Sequence, residues 1–417
     1  MRKDSSKKCP ASFSICLFSA LLAISAGGCA PYKAPEGSKP WSTFLYDGAR
    51  TNVSGEDIAL PAKVSWTKDA SPFRLYKKYP GEQLSAPAIV EGALYVGSSN
   101  EKFYSLNAGR GGVNWRFYSD YPLEAAPAVA GGLVCFGAGN GILRCLDKAT
   151  GKEAWSFQAK SEVLASPLVK GERIYVYSAD DKVYALGLKT GEKLWSYVHG
   201  AYSAVAPRLT AAPASAEGKD KIYQLFSDGV LVCLSADTGK ALWSKKAVRN
   251  FDTPDRMRRT PLLHDGGVYI IDDANTVLAL DADTGELRNI YNIIKAYDFV
   301  ITGSRSLVIA GRDQAVAIDL VTGAIIWKTE LKYNPVSSIF AAGDYLFAVS
   351  NYMYAPLGIK WFSKPRGYIQ AISLKNGEPV WGERLESAIT ANASASEGRI
   401  ALLMNNGTLQ VFKPVKR

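Results

Sequence analysis

Histidine is nearly absent: His199 and His264 are the only two in 417 residues. A histidine-rich metal centre or a Ser-His-Asp triad therefore has almost nothing to be built from. The six cysteines include no Cys-x-x-Cys and no adjacent Cys-Cys pair, which removes the ordinary zinc spacings. A Gly-x-Ser-x-Gly elbow and a phosphate-cradling glycine loop are missing as well. Long apolar runs are lacking: residues 13–24 form an apolar stretch shorter than the ~20 residues that span a bilayer as a helix. Beyond that stretch no segment carries a helical period. What remains is 47% hydrophobic and 21% charged, enough to bury a large core, with no catalytic constellation in view.

What is present is a repeat. An apolar residue is followed nine positions later by Trp in Leu106…Trp115, Leu146…Trp155, Leu186…Trp195, Leu234…Trp243, Ile318…Trp327 and Ile372…Trp381, and by Asn in Leu280…Asn289. Thr-Gly or Asn-Gly stands at the intervening turn in six copies, from Thr150-Gly151 to Asn376-Gly377. The copies start 40, 40, 48, 46, 38 and 54 residues apart. A period near 40–50 with strand-like content means a circular or stacked array.

Residues 165–197 show one unit. Short alternating runs rich in β-branched and aromatic residues, Arg173-Ile174-Tyr175-Val176-Tyr177 among them, are divided by Lys170-Gly171-Glu172, Ala179-Asp180-Asp181 and Lys189-Thr190-Gly191. This predicts four short antiparallel strands, A to D, joined by tight turns. Such a meander cannot cover both its faces alone; stacking copies around an axis covers them. The residue before the strand-C apolar position is always small (Ser105, Cys145, Ala185, Cys233, Ala279, Ala317, Ala371), which suits close packing of neighbouring sheets. The Trp is read as filler between blades. The C-terminal unit, residues 399–412, lacks a strand D, and Val64-Ser65-Trp66 is a strand D without its A, B and C. The expected fold is therefore all-β: an eight-bladed β-propeller of four-stranded antiparallel blades, residues 59–417, its last blade closed by the N-terminal strand. Seven blades with a ragged tail is the alternative.

Residues 1–28 read as a lipoprotein signal peptide. Arg2, Lys3, Lys7 and Lys8 precede the apolar stretch, and Ala26-Gly27-Gly28 precede Cys29. This resembles the lipobox of bacterial lipoproteins, with Ala26 where Leu is usual. The resemblance implies lipid on Cys29, which would anchor the chain to a membrane, and Ala30 in place of Asp implies the outer membrane. Residues 29–58 are expected to be a tether, Pro-rich over 30–40, and a segment around residues 41–52 that packs on the propeller rim. Cys135 and Cys145 flank one hairpin turn; a disulfide is open to them in an oxidising compartment, but buried free thiols are the expectation. The leader carries four basic residues against Asp4, so its loss takes the net charge from +10 to +7. An export signal argues against nucleic acid as the partner of this basic surface; an anionic membrane or an acidic partner suits it. The paired acids Asp180-Asp181, Asp272-Asp273 and Asp281/Asp283 fall in repeat turns, where Asp bonds locally.

The pattern Asp147-Lys-Ala-Thr150-Gly151-Lys-Glu-Ala-Trp155 resembles the repeat of the quinoprotein propellers, over residues 41–412. The enzymes of that superfamily use a vicinal Cys pair, a calcium site and a catalytic Asp; the Cys pair is missing here, so no cofactor and no metal are expected. With the lipobox and the tether, the chain resembles the BamB family, lipoproteins of the outer-membrane β-barrel assembly machinery. That resemblance implies a non-enzymatic, periplasm-facing scaffold, monomeric within a complex, that binds a barrel-assembly subunit through D–A loops. The family's acidic pair before a Thr-Pro step would fall on Arg256 and Arg258, ahead of Thr260-Pro261, so the charge is reversed. The preceding loop around Tyr202 is also shorter than the family's.

Variation collects on the face where the B–C and D–A connections emerge. One D–A connection carries Arg249, Phe251, Asp252, Asp255, Arg256, Arg258 and Arg259; the blade 7 B–C connection, residues 351–366, carries Tyr352, Tyr354, Trp361, Phe362 and Arg366. Aromatic residues and Arg anchor interfaces, so these and Tyr202 are the candidate partner-binding residues; a loop folded back as a channel plug is the competing reading. Two other functions stay open: an exported quinoprotein-like enzyme or small-ligand binder using the central channel, and a surface polysaccharide-binding propeller. Radioactive fatty acid should label the expressed protein, and Cys29→Ser should abolish the label; retained label contradicts lipidation at that residue.

Overall fold

The computed structural model describes residues 40–70, 83–200, 210–248, 259–303, 305–356, 361 and 363–415. Blade 3 shows how the repeat becomes a sheet: strands Leu168–Lys170, Arg173–Ser178, Lys182–Gly187 and Lys193–Val198 pair in order as A to D. Blades 1, 2, 5, 6 and 7 repeat this order, starting at Ala88, Ala128, Leu262, Asp298 and Val336. Blade 4 has strands Lys221–Leu225, Val230–Ser235 and Ala241–Lys246, its strand A reduced to a bridge between Ala214 and Tyr223. Blade 8 takes Ser394–Ser396, Arg399–Leu403 and Thr408–Pro414 from the C-terminus and its outer strand, Ala62–Asp69, from the N-terminal part of the chain. Eight blades closed by an N-terminal strand is the expected fold, and all-β describes it: the described residues form no α-helix.

The core is not one central mass but a set of apolar layers between successive blades. Phe103 of blade 1 stacks on Phe136 of blade 2 with ring centroids 4.1 Å apart. Each fully buried side chain of that size contributes about 1.5–3 kcal/mol.

The repeated Trp joins blades at their outer edge. The indole of Trp155 lies on Gly191 in the next blade's C–D turn, and its Nε1 donates to the Leu188 carbonyl at 2.9 Å. Trp115, Trp195, Trp243 and Trp327 do the same toward Lys148, Ala236, Ala282 and Leu374, at 2.8–3.0 Å. Trp66, on the N-terminal strand, donates to Ala108 of blade 1 at 2.9 Å and so fastens the ring where the two chain ends meet. The turn residue must be Gly twice over. Gly191 has φ 71°, a left-handed conformation, and a Cβ there would stand 2.5 Å from the Trp155 ring.

The small residue before the strand-C apolar position sits directly across from the Trp, as Ala185 does from Trp195. In three blades a strand-B Tyr stands on its other side: Tyr95, Tyr175 and Tyr223 donate to the same carbonyls as the neighbouring Trp, at 3.2, 3.1 and 3.0 Å. The small side chain is the gap that lets both aromatic groups reach one acceptor. In blade 2 that triplet is Cys135, Cys145 and Trp155, and the two cysteines are joined in a disulfide, their Cα atoms 4.1 Å apart. Free thiols were the expectation; direct opposition on adjacent strands brings the sulfurs together instead. Cys233 is free and buried, and burial pushes its thiol up to about 11.

The Asp that recurs at the start of the turn is a cap. Asp281 Oδ1 accepts from the backbone N–H of Asp283 and Thr284 at 2.8 Å each, and Asp147 and Asp319 do likewise in their own turns. The Arg288 guanidinium beside Asp281, 2.6 Å away, and the turn N–H groups hold its carboxyl down to about 2.

Two outcomes follow. Trp155→Phe should lower stability by about 1 kcal/mol, the value of the lost N–H···O bond, and Trp155→Ala by about 3 kcal/mol, both read as shifts of the urea midpoint. Because the Asp281 carboxyl is depressed in the folded state, its contribution is present above the ordinary carboxylate range near pH 4 and is lost as pH falls through 2. A carboxyl ¹³C titration should therefore place Asp281 well below the ordinary carboxylate range, and Arg288→Met should raise it.

Candidate functional site

The central channel is occupied by the chain's own N-terminal segment. Trp41 exchanges backbone hydrogen bonds with Ile89 of blade 1, both 2.9 Å. Ser42 accepts from Val129 of blade 2, Gly48 from Ser215 of blade 4, Ala49 from Leu263 of blade 5 and Asn52 from Ala341 of blade 7. Val53–Ser54 then pairs in parallel with the inner strand of blade 7, and Glu56 accepts from Gly398 of blade 8. The segment thus visits the innermost strand of one blade after another. Residues 41–52 were expected on the rim; they lie inside instead, because the short inner strands leave backbone donors and acceptors that need partners.

Arg50 holds this segment in place. Its side chain is fully buried and donates to the carbonyls of Phe44 at 2.7 Å, Pro213 at 3.0 Å and Pro167 at 3.2 Å, and to Thr43 Oγ1 at 3.0 Å. Burial pushes the guanidinium down to about 10, with Asp47 acting against that, so the charge is retained at neutral pH. Leu45, Tyr46, Arg50 and Asn52 all adopt positive φ, a strained choice for residues with a Cβ that only surrounding contacts enforce. Among the described residues a quinone–calcium centre finds no fit in this channel. The vicinal cysteines are missing from the sequence, the segment covers the inner strands, and among the described residues no three His, Cys, Asp or Glu side chains are placed to hold a metal ion.

Among the described residues, the face formed by the B–C and D–A connections has one pronounced projection. In blade 7, strands B and C are Tyr345–Tyr354 and Lys364–Ser373, ten residues each where other blades use five to seven, paired out to Tyr354 opposite Lys364. The stretch 351–366 was expected to be a loop; its two flanks, 351–354 and 364–366, are strand instead. Tyr352 stacks on Tyr333, which arrives in the connection from blade 6, with centroids 4.2 Å apart, and Tyr333 meets Tyr368 edge-on at 5.0 Å. The Arg366 guanidinium lies 5.3 Å from the Tyr354 ring centroid and Lys332 Nζ 5.1 Å from that of Tyr368. A hydrogen bond with Tyr333 raises the Arg384 guanidinium, aided by Tyr352 and Tyr354. At the tip Trp361 is 90% exposed and Met353 64%. Cations above aromatic faces attract by the ring quadrupole, so the hairpin is a stiffened platform of tyrosines edged with positive charge.

Of the other candidate residues, Cys29, Tyr202, Arg249, Phe251, Asp252, Asp255, Arg256, Arg258 and Phe362 lie outside the described residues. Arg259 is described and is buried, 4% exposed; the chain enters blade 5 there, and the next residue, Thr260, accepts from the Ala212 N–H at 3.1 Å. It is not the surface cation expected of it. Asp181, read as a local turn residue, reaches across a blade junction instead. It accepts from the Tyr177 hydroxyl at 2.6 Å and from the backbone and hydroxyl of Ser227 in blade 4. Beside it His199 stacks on Phe226 at 4.3 Å and meets Asp228 at 3.0 Å. Neither contact had a sequence signal beyond the polarity of the residues. Asp272 does cap its own turn as expected.

Comparison with known proteins agrees with this architecture. The family described as outer membrane protein assembly factor BamB matches residues 105–329 and 295–413. A protein of that description from Legionella pneumophila (strain Paris) is 26% identical over 219 residues, 51% of this chain and 52% of the relative, so the match spans about half the length of that curated relative. The crystal structure of BamB from Moraxella catarrhalis superposes with a TM-score of 0.66 at 17% identity, covering 85% of this chain and 100% of that one. The quinohemoprotein alcohol dehydrogenase from Comamonas testosteroni does so with 0.68 at 14%, covering 91% and 81%. At such identities the structural likenesses speak for the fold alone.

Proposed function

We propose that this chain, which belongs to the family described as outer membrane protein assembly factor BamB, is a non-enzymatic scaffold that binds a protein partner in outer-membrane β-barrel assembly. In this reading residues 1–28 direct export, lipid at Cys29 anchors the chain to the outer membrane, and the propeller faces the periplasm. The observation that carries the docking reading is the blade 7 hairpin. It presents Tyr354 and Arg366 from two paired strands, held in place before binding so that little ordering cost remains for them, and Trp361 from the tip between those strands. The channel supports a scaffold over an enzyme, since the chain itself lines it and Arg50 fastens the lining. Tyr202 and the arginine-rich stretch 249–258 extend the proposed surface. Their positive charge, where the family resemblance implies acids, calls for an acidic patch on the partner.

The test is co-purification from solubilised membranes. Wild type should retain the barrel-assembly subunit, and the combined variant Tyr354→Ser, Trp361→Ser, Arg366→Ser should lose at least tenfold of it with unchanged melting temperature, since interface anchors contribute about 2 kcal/mol or more each. Added pyrroloquinoline quinone and calcium should leave the melting temperature where it is. Undiminished co-purification by the variant, or a clear upward thermal shift with quinone, contradicts the reading.

A further inference from the structure

The ring of indoles has one gap that the fold leaves open. Strand D of blade 5, Leu287–Tyr291, carries Asn289 where its neighbours carry Trp. The turn that would receive the ring, in blade 6, is nevertheless built like the others. Gly323 has φ 70°, against 70–75° at the six turns that hold an indole. At those six, a Cβ on the glycine would stand 2.5–2.8 Å from the covering ring; at Gly323 it would meet nothing within 4 Å. Those six glycines are buried or half-buried, and Gly323 is exposed. Asn289 does not fill the space: its side chain bonds its neighbour's backbone, Ile290 N–H to Asn289 Oδ1, at 2.8 Å. The carbonyl of Leu320 holds the place of the six carbonyls that accept from an indole and receives none here. The turn itself is apolar at Val321, a position that is polar or small in the turns that hold an indole. Val321 is 74% exposed, Ile325 56% and Leu287 51%, within two residues of Gly323 or Asn289. Lys189, Asp237, Asp283 and Lys375 occupy the position of Val321 in other blades.

We propose that this notch between blades 5 and 6 is a docking site for a tryptophan side chain carried on an extended segment of a partner protein. The six filled junctions define the ligand chemistry: a flat apolar ring that covers the turn and one N–H aimed at the Leu320 carbonyl. The extended form of the segment follows from the edge. Leu287–Tyr291 is the last strand of its sheet, so its outer edge can pair with an added strand once Asn289 Oδ1 releases the Ile290 N–H. Exposed Val321, Ile325 and Leu287 would be covered by the same segment, which relieves an apolar patch that water otherwise faces. This site lies on the side wall and stands apart from the blade 7 hairpin, so the two can fail independently.

The probe is a peptide copying this protein's own blade 4 strand, Ala-Leu-Trp-Ser-Lys-Lys, acetylated and amidated, with a Trp→Ala peptide as control, titrated onto the full chain by calorimetry. The Trp peptide should bind, and the control at least tenfold more weakly. Asn289→Trp should fill the notch from within, abolish peptide binding and raise the melting temperature by about 2 °C or more. Failure of the Trp peptide to bind, equal binding by the control, or undiminished binding to Asn289→Trp overturns the proposal. Should that variant fail to fold, Gly323→Ala puts a methyl where the incoming ring must lie, in space that is otherwise open, and must weaken the Trp peptide at least tenfold; unchanged affinity there overturns the proposal equally.

Discussion

An indole laid flat on a turn glycine of the next blade, with its N–H on that turn's carbonyl, is the contact on which the rest of this molecule depends. Four short strands cannot bury two apolar faces, so no blade is stable alone, and what fixes the distance and angle between blades is the outer-edge junction. The turn Asp, the left-handed Gly, the small strand-C residue and the strand-B Tyr each serve this one contact: they shape the turn, clear space above it, or supply a second donor to the same acceptor. Because Trp66 makes the junction between the last blade and the first, the same interaction that spaces the blades also closes the ring.

A scaffold repeated so uniformly leaves its individuality to the places where the repeat is interrupted. Strands B and C of blade 7 run past the usual length and become a projecting hairpin. The segment 41–56 threads the channel and gives the inner strands partners that the repeat does not provide. Blade 5 drops the indole and leaves an open notch. These features sit at the face of the B–C and D–A connections, the axis and the side wall, so one repeat carries three distinct surfaces without any change in its own geometry.

Most of the fold was legible because its determinants are local. Strand alternation, Thr-Gly turns and the ninefold spacing to Trp lie within single repeats, and the split eighth blade could be counted from the two chain ends. What was hidden is long-range. Nothing in the spacing of residues 41–52 says that Arg50 will find the carbonyls of Phe44, Pro167 and Pro213, the last two from blades 3 and 4. Cys135 and Cys145 could be placed on one hairpin, but only the strand register puts them directly opposite. Arg259 looked like one more cation in a basic run, yet it stands where the chain turns into blade 5 and is buried. Asp181 looked like a local turn residue, and its partners are Tyr177 on a strand of its own blade and Ser227 in a turn of the next. The candidate docking residues of blade 7 were found by composition; that Tyr352, Tyr354 and Arg366 belong to a stacked, cation-edged platform required the paired strands.

Amide hydrogen exchange, run on the full chain with and without the periplasmic region of the barrel-assembly subunit, addresses most directly the claim that binding resides where the repeat is interrupted. Added protection should fall in residues 345–373 and in the connection at 331–335, with the regular C–D turns at 147–151, 187–191 and 235–239 unchanged. Protection confined to those regular turns, with none on the blade 7 hairpin, would contradict it.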